Sequence, residues 1–582
     1  MSLFEFSEQE ELGRVMSVDT SAVVVRVDNL EKLRRMQVNR LVALRCSRAG
    51  QHLIGMVQKI TRSQGDGTPD VAELADSAST TEINVVRVLL IGTFFDTTGT
   101  RTNQFRRTLE TVPDIDAECF QIEGDRLTKF MRAVASVTEE QARLSLGQYT
   151  IDDDAEAFLN GNKFFQRHAI IVGSTGSGKS WTTAQILEQV ADLPNANAIV
   201  FDIHGEYSSM DDFRFRHLRV AGPNDLHLSE AALTRGLLFL PYWLLGYEAL
   251  LSLFVDRSDQ NAPNQSMLMA RATNNAKRQF LESVAAEELA ASFTADSPVP
   301  FDIDVVLREL EEENQKMVPG ARPGTEKAGE FNGKLSRLIQ RLSAKIEDRR
   351  LGFLFQGGSE TMDLAWLNQL ARHLIGGTAM QPTKDGGIKV IDFSEVPSDI
   401  LPLIVSMVAR LIFALQQWTL PDQRHPISLF CDEAHLYIPA RTQGDAADEV
   451  SIQIFERLAK EGRKYGVGLV IISQRPSEVN HTVLSQCNNF IAMRLTNSED
   501  QNVIKRLLPD SLGSFGDILP ILDVGEALVV GDASLLPTRV RVSKPKHIPH
   551  SKTLDFWDHW ANEQFYDYID KAVQGWRMQN RE

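Results

Sequence analysis

Residues 169–189 read AIIVGSTGSGKSWTTAQILEQ: four apolar residues, a glycine-rich loop and a segment with helical spacing. The loop contains the pattern GxxxxGKS, which fixes Gly173, Gly178, Lys179 and Ser180. In this pattern backbone N–H groups surround phosphates, the lysine reaches the β and γ phosphates, and the serine hydroxyl binds Mg²⁺. Glycine is needed because a Cβ would obstruct the approach of phosphate to the backbone. The stretch predicts a strand, a phosphate-binding loop and a helix, with ATP and Mg²⁺ as ligands.

The alternative for this stretch is an ordinary glycine-rich turn. At average residue usage, the four fixed positions would occur by chance in a chain of this length only roughly 2 times in 100. The flanking residues also supply the strand and the helix that the motif requires. We therefore assign nucleotide contacts to the loop and the first helical residues. These are Gly173, Ser174, Thr175, Gly176, Ser177, Gly178, Lys179, Ser180 and Trp181.

The region around this motif alternates apolar strands with helices. Besides the strand at the motif, predicted strands lie in the segments 197–208, 427–439, 466–476 and 489–497. Apolar runs separated by helices are typical of a parallel sheet covered on both faces, so the core is predicted to be α/β. Between about Tyr247 and Leu370, three- and four-residue apolar spacing predicts a helical insertion. Residues 314–333, which are polar and contain glycine and proline, are expected to link its helices.

The residues before about 125 show closely spaced alternation of apolar and polar residues, and no helical period. This pattern predicts a small antiparallel β-barrel, because closure removes exposed strand edges. Residues 63–82 are polar and turn-rich, and we expect a solvent-exposed loop there.

Polar residues end two of the predicted core strands. Asp432 and Glu433 follow the apolar run ISLFC, where the aspartate can hold the Mg²⁺ shell and the glutamate can polarise the attacking water. The alternative is a solvated transition from strand to loop. Gln474 ends the next strand and is positioned to sense the γ-phosphate or the lytic water; its alternative is a turn role before Pro476. We predict catalytic roles for Lys179, Glu433 and Gln474.

Phosphoryl transfer also needs an arginine, which ring-shaped motors often take from a neighbouring subunit. Arg463, in a glycine-flanked connection, and Arg167, twelve residues before Lys179, are the candidates. The alternative for either residue is an ordinary surface arginine, because most arginines in folded proteins are exposed. We favour Arg463 for the role in trans.

A second strand terminus carries Asp202, His204 and Glu206. A metal site is conceivable there, but the three residues do not form a familiar ligand spacing. We expect instead a hydrogen-bonded support for the phosphate site.

The net charge of −17 argues against a protein coated with basic surface, because binding to nucleic acid needs clustered cations. Any DNA must meet a local basic surface, and a ring could shelter one in its channel. Arg441, in the loop after the Asp-Glu strand, is a candidate; the alternative is that it pairs with Asp445 or Asp448.

The start of the chain is acidic rather than basic, no run of eighteen apolar residues occurs, and the four cysteines are scattered. We expect a cytoplasmic protein that neither spans a membrane nor holds a zinc site or disulfide framework.

Together these motifs resemble the HerA family of hexameric DNA translocases, which is related to FtsK. The matching stretches are residues 11–27, 173–180, 201–208, 432–439, 461–479 and 484–501. The resemblance implies a RecA-like P-loop ATPase core with a small N-terminal barrel of the HerA and ATP-synthase kind, an inserted helical bundle and a C-terminal brace. The expected domains are the barrel over 1–140, the first part of the core over 141–246, the insertion over 247–384, the second part of the core over 385–545 and the brace over 546–582.

By the same resemblance, Lys179, Asp432, Glu433 and Gln474 take the motor roles argued above, with Ser180 and Asp432 at the metal. Arg167 looks like a family arginine that contacts nucleotide, and Arg463 looks like a finger acting in trans. The expected activity is ATP-driven translocation of double-stranded DNA by a homo-hexameric ring. Family members pair with NurA-like nucleases, or in defence systems with nuclease or NAD-hydrolysing effectors.

Two alternatives come from other classes of function. A secretion-type or protein-remodelling ATPase would not hold DNA, but such ATPases usually work at a membrane. A scaffold could bind ATP only to lock a ring, although the intact Lys179 and Glu433 weigh against it.

Overall fold

The chain folds into two compact units. The computed structural model describes residues 3–19, 22–38, 40–46, 48–64, 82–98, 101–135, 143–228, 232–322, 324–375, 387–440, 446–507, 510–534, 536–551, 555–561 and 568–578. Met1–Phe164, Asn489–Arg494 and Leu508–Lys544 make up the first unit, which we call the barrel unit. The second, the P-loop unit, consists of Phe165–Asn488, Leu495–Leu507 and Pro545–Glu582. The units thus divide the chain differently from the expected domains, because residues near 144–164 and 508–544 group with the barrel.

Seven strands build the N-terminal part of the barrel unit. They are β1 (Glu11–Val18), β2 (Ala22–Arg26), β3 (Leu41–Arg45), β4 (Gln51–Gln64), β5 (Glu82–Thr98), β6 (Arg101–Arg106) and β7 (Glu118–Gln121). Their order is β2-β1-β7-β3-β4-β5-β6, and antiparallel pairing of β2 with β5 closes six of them into a barrel. Val15, Val25, Val42, Leu53 and Val88 are buried in its core. The predicted barrel is confirmed.

The barrel region also contains a short helix that no helical period marks in the sequence. A short helix, α1 (Leu30–Arg35), follows β2, and the Asn29 side chain caps it by accepting the backbone N–H groups of Glu31 and Lys32. Six residues are too few to show a helical period. The expected loop at 63–82 lies largely outside the described residues.

Five further strands complete the barrel unit. They are β8 (Leu144–Tyr149), β9 (Asp152–Leu159), β19 (Asn489–Met493), β20 (Glu526–Gly531) and β21 (Thr538–Val542), and they pair in the order β19-β20-β21-β8-β9. The unit also contains the helix α2 (Gly124–Ala135), and α3 (Gly161–Gln166) begins in it and ends in the P-loop unit. The apolar run near residue 489, expected in the parallel core sheet, pairs antiparallel with β20.

Seven parallel strands form the sheet of the P-loop unit. They are β10 (Ala169–Val172), β11 (Ala198–Asp202), β12 (Phe215–Val220), β13 (Leu237–Leu238), β16 (Ile388–Asp392), β17 (Ile427–Cys431) and β18 (Val467–Ser473). Their order is β13-β12-β16-β11-β17-β18-β10, and every pairing between these neighbours is parallel. The predicted α/β core of the RecA-like kind is confirmed.

The helices of this unit include α4 (Lys179–Ala191), α12 (Leu401–Trp418), α13 (Ala446–Glu461), α14 (His481–Ser485), α15 (Ser498–Leu507), α16 (Phe556–Ala561) and α17 (Ile569–Met578). Among the described helices, α12 alone is long and apolar enough to cross a membrane. Twelve of its eighteen residues are buried, and it packs against α13. Burial within the unit accounts for its apolar composition.

Between β13 and β16 lies the predicted helical insertion. Its helices are α5 (Tyr247–Phe254), α6 (Ala262–Ser283), α7 (Glu287–Ser292), α8 (Ile303–Gln315), α9 (Ser336–Glu347), α10 (Gly352–Phe355) and α11 (Leu364–Leu374). The segment expected to be a plain linker forms an antiparallel hairpin of β14 (Met317–Pro319) and β15 (Glu326–Ala328).

Candidate nucleotide-binding and hydrolysis site

The predicted catalytic residues of the sheet meet at one edge. The phosphate-binding loop follows β10, Asp432 follows β17, and Gln474 follows β18. β18 pairs in parallel with both β10 and β17, and parallel neighbours place their carboxyl ends at the same edge. The sheet order therefore converts three separate stretches of sequence into one site.

The loop itself has the backbone that the motif requires. Gly176 has a φ of +73° and Gly178 a φ of +110°, values that side chains rarely allow. Thr175 and Gly176 are exposed at the tip, while Ser177 is fully buried. Trp181 is half-buried in the first turn of α4. The nucleotide contacts assigned to the whole loop remain predictions, and this geometry supports a phosphate there.

Lys179 is 6% exposed and lies among carboxylates. Burial lowers the pKa of its ammonium group, while the negative charges of Glu433, Asp432 and Glu206 act in the opposite direction. Burial raises the pKa of Asp432 well above its usual range, and the nearby charges of Glu433 and Glu206 raise it further. Such an arrangement favours an added cation, because the carboxylates repel one another in a low-dielectric site.

Ser180 and Glu206 are in direct contact. The Ser180 hydroxyl donates to Oε2 of Glu206 at 2.7 Å. Asp202, 1% exposed, holds the turn in place by accepting the backbone N–H groups of Gly205, Glu206 and Tyr207 at 2.8 to 3.0 Å. Burial raises the pKa of Asp202 to about 6, opposed by these three N–H groups.

His204, the third member of the acidic segment, is exposed. Over the described part of the chain, no three His, Cys, Asp or Glu side chains are grouped so that they could hold a metal ion by themselves. The segment instead supports Ser180 through Glu206. Sequence reasoning placed the segment at the right edge but gave Glu206 no contact of its own.

Glu433 and Gln474 form a chain of hydrogen bonds that ends on the phosphate-binding loop. The Gln474 side-chain amide donates to Oε1 of Glu433, and its carbonyl oxygen accepts the Thr175 hydroxyl at 2.5 Å. Glu433 has a φ of +43°, a strained conformation for a residue other than glycine. Within the described structure, Oε2 of Glu433 and Oδ2 of Asp432 are buried without a hydrogen-bond partner. Both oxygens therefore suit a ligand.

These donors fit Mg²⁺. The Ser180 hydroxyl and the Asp432 carboxylate are hard oxygen ligands of the kind this ion prefers. The buried oxygen Oδ2 of Asp432, which lacks a hydrogen-bond partner among the described residues, is the specific observation that supports the fit.

Arg167 and Arg463 lie at the other edge of the sheet. Arg167 precedes β10 and Arg463 precedes β18, so both stand at amino ends of parallel strands. Both are exposed. At about 3.3 Å per residue, even the short strand β10 separates them from the loop by roughly 13 Å. The structure does not bring either arginine to the phosphate-binding loop of its own chain. Arg441 lies outside the described residues.

Comparison with known proteins agrees with this geometry. Residues 144–412 match the family model described as the central domain of the helicase HerA. This chain carries a HerA-family central domain. The relatives include a probable helicase of Methanocaldococcus jannaschii, 26% identical over 407 residues that cover 69% of this chain and 67% of that protein. Another is the DNA double-strand break repair helicase HerA of Sulfolobus acidocaldarius, 24% identical over 416 residues, or 70% of this chain and 71% of that protein.

Among solved structures, VirB4 of Thermoanaerobacter pseudethanolicus is 16% identical, with a TM-score of 0.44 over 70% of this chain and 98% of that chain. With its HerA-family central domain and an assembled P-loop site, the chain is an ATP hydrolase of the helicase type.

Proposed function

We propose that this chain is an ATP-driven, ring-forming translocase of double-stranded DNA, working in the cytoplasm as the motor of a nuclease or defence complex. The observation that carries the proposal is the meeting of the phosphate-binding loop, Asp432, Glu433 and Gln474 at one sheet edge within a HerA-family domain. Relatives named as DNA double-strand break repair helicases support DNA as the substrate. From the family resemblance we further propose a nuclease of the NurA-like class as partner, with an NAD-hydrolysing or nuclease effector as the defence counterpart.

The site residues divide the work of hydrolysis. Backbone N–H groups of the loop and the Lys179 ammonium bind the phosphates of ATP, while the Ser180 hydroxyl and the Asp432 carboxylate hold Mg²⁺. When bound there, Mg²⁺ would supply positive charge against the β and γ phosphates. Glu433 orients the attacking water and accepts its proton at Oε2, a buried oxygen that accepts no hydrogen bond from the described residues and lies 3.3 Å from Nδ1 of His435. Gln474 couples Glu433 to the loop through Thr175.

A ring accounts for two features of the P-loop unit. Arg463 and Arg167 stand at the sheet edge away from their own loop, on the side from which a trans-acting arginine would reach a neighbouring site. The C-terminal helices also expose large aromatic side chains, which fit a contact with another copy of the chain. These are Phe556, Trp557, Trp560, Tyr568 and Trp576. Six subunits are proposed from the family resemblance.

The test measures work on duplex DNA. Translocation along a duplex displaces the third strand of a triplex, and we expect ATP-dependent displacement by the wild type and none by Glu433→Gln, which should still bind DNA. In a matched binding assay, Arg441→Ala should weaken affinity for unrelated sequences alike and lower the salt slope, because phosphate contacts carry no sequence information. A wild-type ring that hydrolyses ATP but binds no duplex would support protein remodelling instead.

A further inference from the structure

His435 lies against the catalytic carboxylate. It belongs to the one-turn 3₁₀ helix Ala434–Leu436, directly after Glu433. Its Nδ1 is 3.3 Å from Oε2 of Glu433, and the two side chains are only 17% and 5% exposed. Gln474 holds the other oxygen, Oε1. The two oxygens of Glu433 thus face two different side chains.

His435 is itself held by the neighbouring strand. Ser473, the last residue of β18, is fully buried and shares a hydrogen bond of 3.3 Å with Nδ1 of His435. The Ser473 hydroxyl oxygen also accepts the backbone N–H of Arg475 at 3.0 Å. The imidazole therefore bridges the turn after β17, which carries Glu433, and the end of β18, which leads into Gln474.

The surroundings favour a neutral imidazole. Burial lowers the pKa of His435, and Arg475 and His204 act in the same direction. The negative charges of Glu433 and Glu478 oppose them. A neutral ring offers a single N–H, and when that N–H is on Nδ1 it faces the Ser473 hydroxyl and Oε2 of Glu433, each 3.3 Å away.

We propose that His435 is a positioning residue that fixes the orientation of Glu433 and links it to β18. A carboxylate held at Oε1 alone can rotate about its last side-chain bond, whereas the imidazole 3.3 Å from Oε2 restricts that rotation by packing and electrostatic attraction. A water misplaced by about 1 Å can cost up to roughly 100-fold in rate. This role rests on the proposed hydrolytic function of Glu433, but not on the action upon DNA.

The test compares His435→Ala, His435→Gln and, as a matched control, His481→Ala, whose imidazole is exposed elsewhere in the same unit. We expect His435→Ala to lower the basal kcat for ATP about 10-fold with KM changed less than about 2-fold. His435→Gln should recover part of the rate, because its amide can donate to Glu433. The control should keep the wild-type kcat. ATP binding and the thermal midpoint of unfolding should be unchanged in all three.

A double-mutant cycle distinguishes positioning from packing. In single-turnover measurements, His435→Ala should cause no further loss in the Glu433→Gln background, because the group that it orients is gone. An equal fold-loss in both backgrounds would overturn the proposal, as would a full kcat in His435→Ala. Because these rates are measured without DNA, failure of the DNA assays and failure of this role are separate results.

Discussion

Ser180 donates its hydroxyl to Oε2 of Glu206, with the two oxygens 2.7 Å apart. Ser180 follows the loop after β10, and Glu206 follows β11, which is separated from β10 by β17 and β18 in the sheet. The hydrogen bond therefore connects segments that follow two strands which are not neighbours in the sheet. It places a carboxylate beside the hydroxyl proposed to bind Mg²⁺, where it can accept hydrogen bonds from the water shell of that ion.

We predict that Glu206→Gln weakens the use of Mg²⁺. The substitution keeps the size of the side chain and its ability to accept from Ser180, but removes the negative charge. The Mg²⁺ concentration for half-maximal ATPase activity should rise about 10-fold, while ATP binding without Mg²⁺ is not weakened. Asp211→Asn removes a nearby exposed charge and is the control. If the half-maximal Mg²⁺ concentration rose equally in both variants, the effect would come from the loss of any nearby negative charge and not from the position of Glu206.

Glu433→Gln should bind ATP but turn it over at least ~100-fold more slowly, because it loses the group that orients and deprotonates water. Lys179→Ala should instead weaken nucleotide binding, since it removes the buried cation that the charges of Glu433, Asp432 and Glu206 act upon. Equilibrium binding of a fluorescent nucleotide and steady-state hydrolysis separate the two effects. Near-normal hydrolysis by Glu433→Gln would contradict the assignment of Glu433 as the residue that orients and deprotonates the attacking water.

Arg463→Ala should be inactive alone and partly rescued in mixed rings. When it is mixed with Glu433→Gln subunits, some interfaces combine an intact Glu433 from one parent with an intact Arg463 from the other. We expect the mixture to hydrolyse ATP faster than either variant. Light scattering with ATP and Mg²⁺ supplies the companion measurement. A monomer at micromolar concentration would contradict the trans role, and so would a mixture no faster than its parts.

The sequence predicted those site residues that are recognised by motif spacing or by their position at the end of a strand. Lys179, Asp432 and Gln474 could each be placed at a carboxyl end, and parallel pairing then brings those ends together. It did not predict β16, because Lys389 interrupts the apolar run. That lysine is buried, and its ammonium donates to the side chain of Asn197 at 2.9 Å, a compensation that no local pattern shows.

The contacts of Glu206 and His435 were missed for a related reason. Each depends on the order of strands in the sheet: β11-β17-β18-β10 for the contact of Glu206 with Ser180, and β17 beside β18 for that of His435 with Ser473. Strand order is a tertiary property, since it is decided by how helices pack across the sheet. The sequence offered only weak signals for these positions. Glu206 is an acidic residue shortly after a strand, and His435 is a histidine two residues after Glu433.

The last prediction concerns His168, which joins three elements beneath the site. It is 3% exposed, directly precedes β10, and has a φ of +52°. The backbone N–H of Leu469 in β18 donates to its Nδ1 at 2.9 Å. Nδ1 is therefore the acceptor, so Nε2 carries the proton and donates to the carbonyl oxygen of Ala459 in α13 at 3.1 Å. Only the neutral ring satisfies both bonds.

Burial lowers the pKa of His168 to about 4, and the charge of Arg463 adds to the effect, while the bond to Ala459 opposes it. The unfolded chain, with an ordinary histidine pKa near 6.5, binds the proton first as the pH falls. The stabilisation from the neutral ring is thus complete above about pH 6.5 and is lost towards pH 4, amounting to about 3 kcal/mol in all.

We expect His168→Asn, which offers one acceptor and one donor but does not titrate, to lower the thermal midpoint at pH 7.5. Between pH 7.5 and pH 5 it should lose less stability than the wild type, whereas the exposed-site control His559→Asn should follow the wild type. Parallel pH profiles for wild type and His168→Asn would show that this histidine does not control the acid sensitivity of the unit.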